Sequence, residues 1–130
     1  MKSIKATLEI LGKTYDVLSY ENKFSYKTDK IGRISSPIQG GRIAIKLKYT
    51  YDNAIPETML KSELLCVDGK ISLMDAKDNV VKREIEFNNA YIVHYKEVFD
   101  KHDEILLVTL VTLSAQIISI RGIKFDKCWG

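Results

Sequence analysis

Two histidines, two cysteines and one glycine-rich loop are the parts of this sequence whose residue types could do chemistry. A zinc site needs ligands at short spacing, as in C-x-x-C or H-E-x-x-H, so that one local element offers two of them to the same ion. His94 and His102 have no such partner, and Cys66 and Cys128 are far from both and from each other. A thiol nucleophile built from Cys66 and a histidine has no local support. Ser35-Ser36 lacks the G-x-S-x-G elbow that presents a serine nucleophile. The carboxylates Glu57, Glu63, Asp75, Asp78, Glu84 and Glu86 are scattered, with no spacing that favours a general acid–base pair. The expectation is of surface histidines and free thiols, with no catalytic residue, no metal and no cofactor: not an enzyme.

The loop is the stronger signal. "TDKIGRISSPIQGGRIAIKLKY", residues 28–49, begins irregularly and ends in strict alternation. Its glycines, Arg33 and Arg42 suggest a phosphate cradle, but a P-loop needs Lys-Ser or Lys-Thr after the last glycine and a helix behind it. Here Gly41 is followed by Arg42-Ile43 and a strand. Long ordered loops in small domains usually serve a function, and partner binding is the use that remains. Gly32 permits a positive φ, Pro37 favours an extended path, and Gly40-Gly41 lets the chain re-enter the sheet. Residues 28–41 are expected to project as an arm.

Composition bounds the partners. The 130 residues suit a single domain spanning 1–130, and a net charge of +3 from 20 Lys+Arg against 17 Asp+Glu is too balanced for a nucleic-acid binder. The aromatics, Tyr15, Tyr20, Phe24, Tyr26, Tyr49, Tyr51, Tyr91 and Tyr95, are in phase with apolar strand faces, which suits packing better than base stacking. The first residues carry no long apolar run, so neither a signal peptide nor membrane insertion is expected.

Period-two alternation dominates the elements that must position the loop. Ile4, Ala6, Leu8 and Ile10 share a face, and Gly12-Lys13 turns the chain. Tyr15 to about Tyr26 reads as a strand with Leu18, Tyr20, Phe24 and Tyr26 inward and a bulge near Asn22. The strand Arg42–Tyr51 follows, with Ile43, Ile45, Leu47 and Tyr49 on one face. Asp52 or Asn53 caps one short helix at about 55–65, with Pro56 in its first turn and Ile55, Met59, Leu60 and Leu64 on its packed face. Asp68-Gly69 reads as a turn, Ile71–Met74 as a short strand and 75–79 as a hairpin loop. Val81, Ile85 and Phe87 lie in phase on the next strand. Asn88-Asn89 turns again before Tyr91, Val93, Tyr95 and Phe99. After a turn at 101–104, the strand from Ile105 to about Ile120 is apolar on both faces through Leu113 and must be covered on both. The fold class is mainly β: a barrel or two-sheet sandwich of seven or eight strands with one short flanking helix.

These residues resemble a family. The patterns "KATL", "GK.Y.VL" and "D..GR.SS...GG.I" at the start are similar to those of the type VI secretion tube proteins of Bacteroidetes, the TssD or Hcp group. The similarity continues through Asp68-Gly69 with Ile71, "F.NAY.V.Y.E.FD" at 87–100, "T.SA..I.I" around 112–120 and Trp129. The resemblance implies a β-barrel related to phage tail-tube proteins. It also implies a homo-hexameric ring that stacks into a hollow tube within a contractile sheath, behind a spike protein, with effector proteins in the lumen. The protein would reside in the bacterial cytoplasm and be secreted on firing. In such proteins the loop between the second and third strands stacks one ring on the next. That role falls here on Gly32, Arg33, Ile34, Pro37, Ile38, Gln39, Gly40 and Gly41. Three stretches depart from the family pattern: Thr58-Met59-Leu60 in the helix, "KISLMD" and the apolar "KHDEILLVTL". They leave open a divergent paralogue of the tube subunit. The residues alone also leave open a monomeric small β-barrel that binds a ligand inside.

Overall fold

A computed structural model of the chain describes residues 3–61 and 65–127. The elements are β1 (Ile4–Ile10), β2 (Lys13–Asn22), β3 (Arg42–Lys48), α1 (Ala54–Lys61), β4 (Val67–Asp75), β5 (Val81–Phe99), β6 (Leu107–Ile120) and β7 (Ile123–Asp126). The strands lie in the order β3-β2-β1-β4-β5-β6-β7, and β3 also pairs β6. Six strands therefore close into a barrel, and β7 stays outside on β6. The length of β6 permits both pairings on one edge: Val108–Ser114 bond to β3, and Ile117–Ile120 bond to β7. Closure removes most of the strand edges that would otherwise invite foreign pairing. Of the barrel and the sandwich, the barrel is the architecture formed.

Strict alternation places β3 as expected: Ile43, Ile45 and Leu47 are buried, and Arg42, Ala44 and Lys46 face out. Tyr49 leaves the strand with φ 54°. β2 changes phase. A bulge at Leu18, between the pairs Val17–Leu47 and Ser19–Lys46, moves the inward set from Tyr15 and Val17 to Tyr20 and then Phe24. The bulge expected near Asn22 thus lies at Leu18, which is exposed, and the strand ends at Asn22 with Tyr26 exposed beyond it.

The Asn88-Asn89 turn does not form. One strand of 19 residues, β5, runs through it. At Asn89 and Gln116 the β5–β6 ladder is interrupted on both strands, and the two side chains bond each other at 3.1 Å. Both strands reverse phase together, from Phe87 and Ile118 inward to Ala90 and Ala115 inward. A second irregularity at Val93 shifts the inward set again, to Tyr95. Alternation read straight through therefore misplaces Val93, which is exposed. Val81 and Phe99 are exposed as well. Asp68-Gly69 is not a turn but part of β4, with Asp68 at an irregularity where its carboxylate accepts the Asn89 amide at 2.8 Å. Gly69 is needed for close approach: a Cβ there would lie 2.4 Å from the Glu9 carbonyl oxygen and 2.6 Å from the Phe87 ring. β7, absent from the sequence reading, follows a tight turn at Arg121-Gly122, whose φ values of 49° and 82° suit a two-residue hairpin.

The core is one cluster inside the barrel, with Leu8, Ile43, Leu47, Ile71, Phe87 and Leu113 fully buried. α1 packs on β5 through Ile55 and Met59, whereas Leu60 points to solvent. Leu64 and Glu63 lie outside the described residues. Asp52 fixes the helix start: one carboxylate oxygen accepts the Ala54 amide at 2.9 Å and the Tyr15 hydroxyl at 2.7 Å. Burial pushes the Tyr15 hydroxyl well above its ordinary range, and the bond to Asp52 adds to the shift. Burial alone would raise Asp52, but the bonds from Ala54 and Tyr15 hold it below the usual carboxylate range.

Candidate functional site

The irregular stretch between β2 and β3 is a narrow hairpin. Ser25 and Gln39 exchange both backbone hydrogen bonds, at 2.9 and 2.6 Å. Farther out, the Ser35 amide donates to the Lys27 carbonyl and the Lys27 amide to the Ser36 hydroxyl, both at 2.8 Å. Thr28 bridges Ile34. Residues 28–41 are thus the outer part of an arm that starts at about Lys23. At its tip, Asp29 accepts the Ile31 amide, the Arg33 amide and the Arg33 Nε, each at 3.0 Å. These bonds, the Arg33 amide foremost, hold the Asp29 carboxyl below the usual carboxylate range. Gly32, with φ 89°, turns the tip.

The root of the arm is tied to the barrel. The Gly41 carbonyl accepts the Ala115 amide at 2.7 Å, with φ 93° at Gly41. Gly40 lies against the Phe24 ring, where a Cβ would come within 2.5 Å of a ring carbon. Phe24 in turn packs on Phe125 of β7, with ring centroids 4.9 Å apart. A groove of about 550 Å³ opens here, lined by Phe24, Ile38, Ile118, Ile120, Ile123 and Phe125 together with the charged Arg83, Lys124 and Asp126.

Ile31, Ile34 and Ile38 are exposed along the arm, as are Arg33, Pro37 and Gln39. An ordered hairpin that displays isoleucines to water has the character of a contact surface. Arg33 is engaged with Asp29 within its own chain. Sequence reasoning missed Asp29, Ile31 and the Phe24 anchor. The signal was present: an Asp two residues before one amide and four before another is the pattern of a side chain that caps a tight turn.

The residues considered for chemistry do not converge. His94 is exposed on β5 opposite Thr112, and His102 is exposed in the 100–106 turn, its amide bonded to Asp100. Cys66 is half-buried beside the Tyr91 hydroxyl. Cys128 and Trp129 lie outside the described residues. Among the described residues no three His, Cys, Asp or Glu side chains come together as metal ligands. No described helix is long and apolar enough to cross a membrane.

The sequence profile of the Hemolysin coregulated protein Hcp (TssD) family matches residues 2–130. The chain belongs to this family. Hcp1 from Flavobacterium johnsoniae is 33% identical over 95% of this chain and 99% of its own, with a TM-score of 0.89. Hcp1 from Salmonella typhimurium shares the fold at 12% identity, with a TM-score of 0.71 over 95% of this chain and 91% of its own. So does a chain of the sheath–tube complex of an extracellular contractile injection system, PVC, at 15% identity, with a TM-score of 0.66 over 92% of this chain and 89% of its own. No curated protein sequence matches. Hcp is a family of structural tube proteins, and this chain is a structural tube subunit.

Proposed function

We propose that this Hcp-family chain forms six-membered rings that stack through the arm into the inner tube of a type VI secretion system. The supporting observation is the arm itself, cross-bonded along its length, clamped by Asp29 and lined with exposed isoleucines. Residues Gly32 to Gly41 carry the stacking. Ring closure rests mainly on other groups, the outer edge of β7 and the half-exposed outer face of β6 at Val108 and Leu110, with the groove beside β7, where Ile38 also lies, as the place where the two contacts adjoin. The tube moves within a contractile sheath behind a spike and carries effectors in its lumen. It needs no catalysis, cofactor, nucleic acid or membrane insertion, and it leaves the cytoplasm with the apparatus.

A monomeric ligand-binding barrel is disfavoured by the interior, which is filled by fully buried side chains of Leu8, Ile43, Leu47, Ile71, Phe87 and Leu113. The test is to replace residues 28–36 by a two-residue turn and inspect the product by electron microscopy. Rings without tubes are expected. Tubes of normal length would refute the reading, and rings that fall apart would move the arm to the lateral contact. In a parallel experiment, joint replacement of His94, His102, Cys66 and Cys128 should leave assembly and secretion intact.

A further inference from the structure

The arm needs a receptor, and the barrel places a complementary surface at its opposite end. β3 measures the separation. Arg42, where the arm returns, is paired with Ser114, whereas Lys48 is paired with Val108 and the Tyr49 amide bonds the Leu107 carbonyl at 3.0 Å. Leu107 directly follows the 100–106 turn. The arm and that turn are thus separated by the length of β3, about 20 Å at roughly 3.3 Å per residue.

Their charges are opposite. The arm carries Lys23, Lys27, Lys30 and Arg33 against the single acid Asp29, which is already engaged by Arg33. No ion pair among the described residues uses the three lysines. The far end carries Glu97, Asp100, Asp103 and Glu104 against Lys101 and Lys48, and the Lys48 ammonium lies over the Tyr49 ring, 5.8 Å from its centroid. Among the described residues, Asp100 and Asp103 accept backbone amides, of His102 and Ile105, so their charge is not neutralised by those bonds. Apolar character matches too. Phe99 is 68% exposed and Tyr51 75% exposed at the acidic end, where Tyr51 stacks on Tyr49 with centroids 6.0 Å apart. Tyr49 donates to the Glu104 carbonyl at 3.4 Å, which joins the aromatic pair to the acidic turn.

We propose that the arm of one copy docks on the acidic 97–106 end of a second copy in the adjacent ring. Its lysines face Glu97, Asp100, Asp103 and Glu104, and its Ile31 and Ile34 rest on Phe99 and Tyr51. The proposal depends on the stacking role given to the arm above. Because the two surfaces lie at opposite ends of one chain, the contact is heterologous and does not close. It propagates as a filament in which every ring points the same way. Complementary charge also selects partner and register.

Charge reversal tests it. Lys27→Glu with Lys30→Glu, and separately Asp103→Lys with Glu104→Lys, should each give rings that fail to elongate, read by sedimentation and electron microscopy. All four substitutions in one chain should restore tubes. Failure of that rescue would overturn the pairing even where both reversed proteins lose their tubes. Normal tubes from the Asp103/Glu104 variant, with none from the arm-shortened protein, would refute this receptor while leaving the stacking arm in place. Normal tubes from the arm-shortened protein would refute the underlying stacking role instead.

Discussion

Replacing Ile31 and Ile34 together by Ser isolates the apolar share of the stacking contact. The two side chains are 74% and 63% exposed in the single chain. Full burial of an isoleucine stabilises by roughly 1.5–3 kcal/mol, so covering the exposed part of each contributes about 1–2 kcal/mol. Losing both costs about 2–4 kcal/mol per arm, or about 30-fold to 700-fold in the equilibrium constant of one contact. A ring presents every arm at once, so the losses multiply across the junction. Little of this reaches the fold, because the arm is held by backbone bonds and by Asp29 rather than by these side chains. The expected result is a thermal transition and a ring population like those of the parent, with the concentration threshold for tubes raised at least tenfold. Sedimentation over a concentration series with matched electron micrographs reads both quantities. An unchanged threshold would show that the tip is not buried in the tube, and the reasoning would fail.

Tyr15→Phe removes one of two donors to the Asp52 carboxylate while keeping the ring in the core, and should cost about 1–2 kcal/mol in urea denaturation. Because the folded state raises the Tyr15 pKa above its ordinary value of 10.0, the unfolded chain ionises first; stability should fall as pH rises through 10, and less so in Tyr15→Phe. At the arm tip the sign is opposite. Asp29 is held below the ordinary carboxylate value of 3.8, so the tip should stay ordered at neutral pH and loosen as pH falls through the folded pKa, visible as faster amide exchange at Ile31 and Arg33 and reproduced at neutral pH by Asp29→Asn. Gly69→Ala drives a methyl onto the Glu9 carbonyl and the Phe87 ring and should destabilise by about 1–3 kcal/mol, with a parent-like urea midpoint as the outcome that contradicts it.

How much of this is legible in sequence depends on whether a strand keeps one phase. β3 does, and its Ile43-Ile45-Leu47 face is read directly. β2 and β5 do not. One extra residue at Leu18, and the joint break at Asn89 and Gln116, reverse the faces without marking the local sequence strongly. Alternation then continues with the wrong sign. Asp68-Gly69 and Asn88-Asn89 misled for a related reason. Both are turn-forming pairs, and here they form one bonded kink across neighbouring strands. Partners so distant in the chain leave no short-range signal. The arm is the reverse case. Its length, glycines and exposed isoleucines are local and can be read, but the Asp29 clamp that makes it a preorganised hairpin needs the tip geometry.

On the proposed reading, a closed barrel leaves assembly to such additions. Strand pairing can join subunits only where an edge is open, and the β3–β6 pairing closes the edge of the six-stranded body. β7, outside the barrel, restores an edge at one place, beside the groove that Phe24, Ile38 and Phe125 line. The root of the arm forms part of that same groove. A neighbour seated against β7 would therefore press on Phe24 and Gly40 and limit how far the arm can swing. Under that arrangement ring closure precedes stacking for a physical reason. Lateral packing would add to the hold that Ala115 and Phe24 already have on the base of the arm, and a stiffer arm gives up less conformational freedom when it meets the next ring.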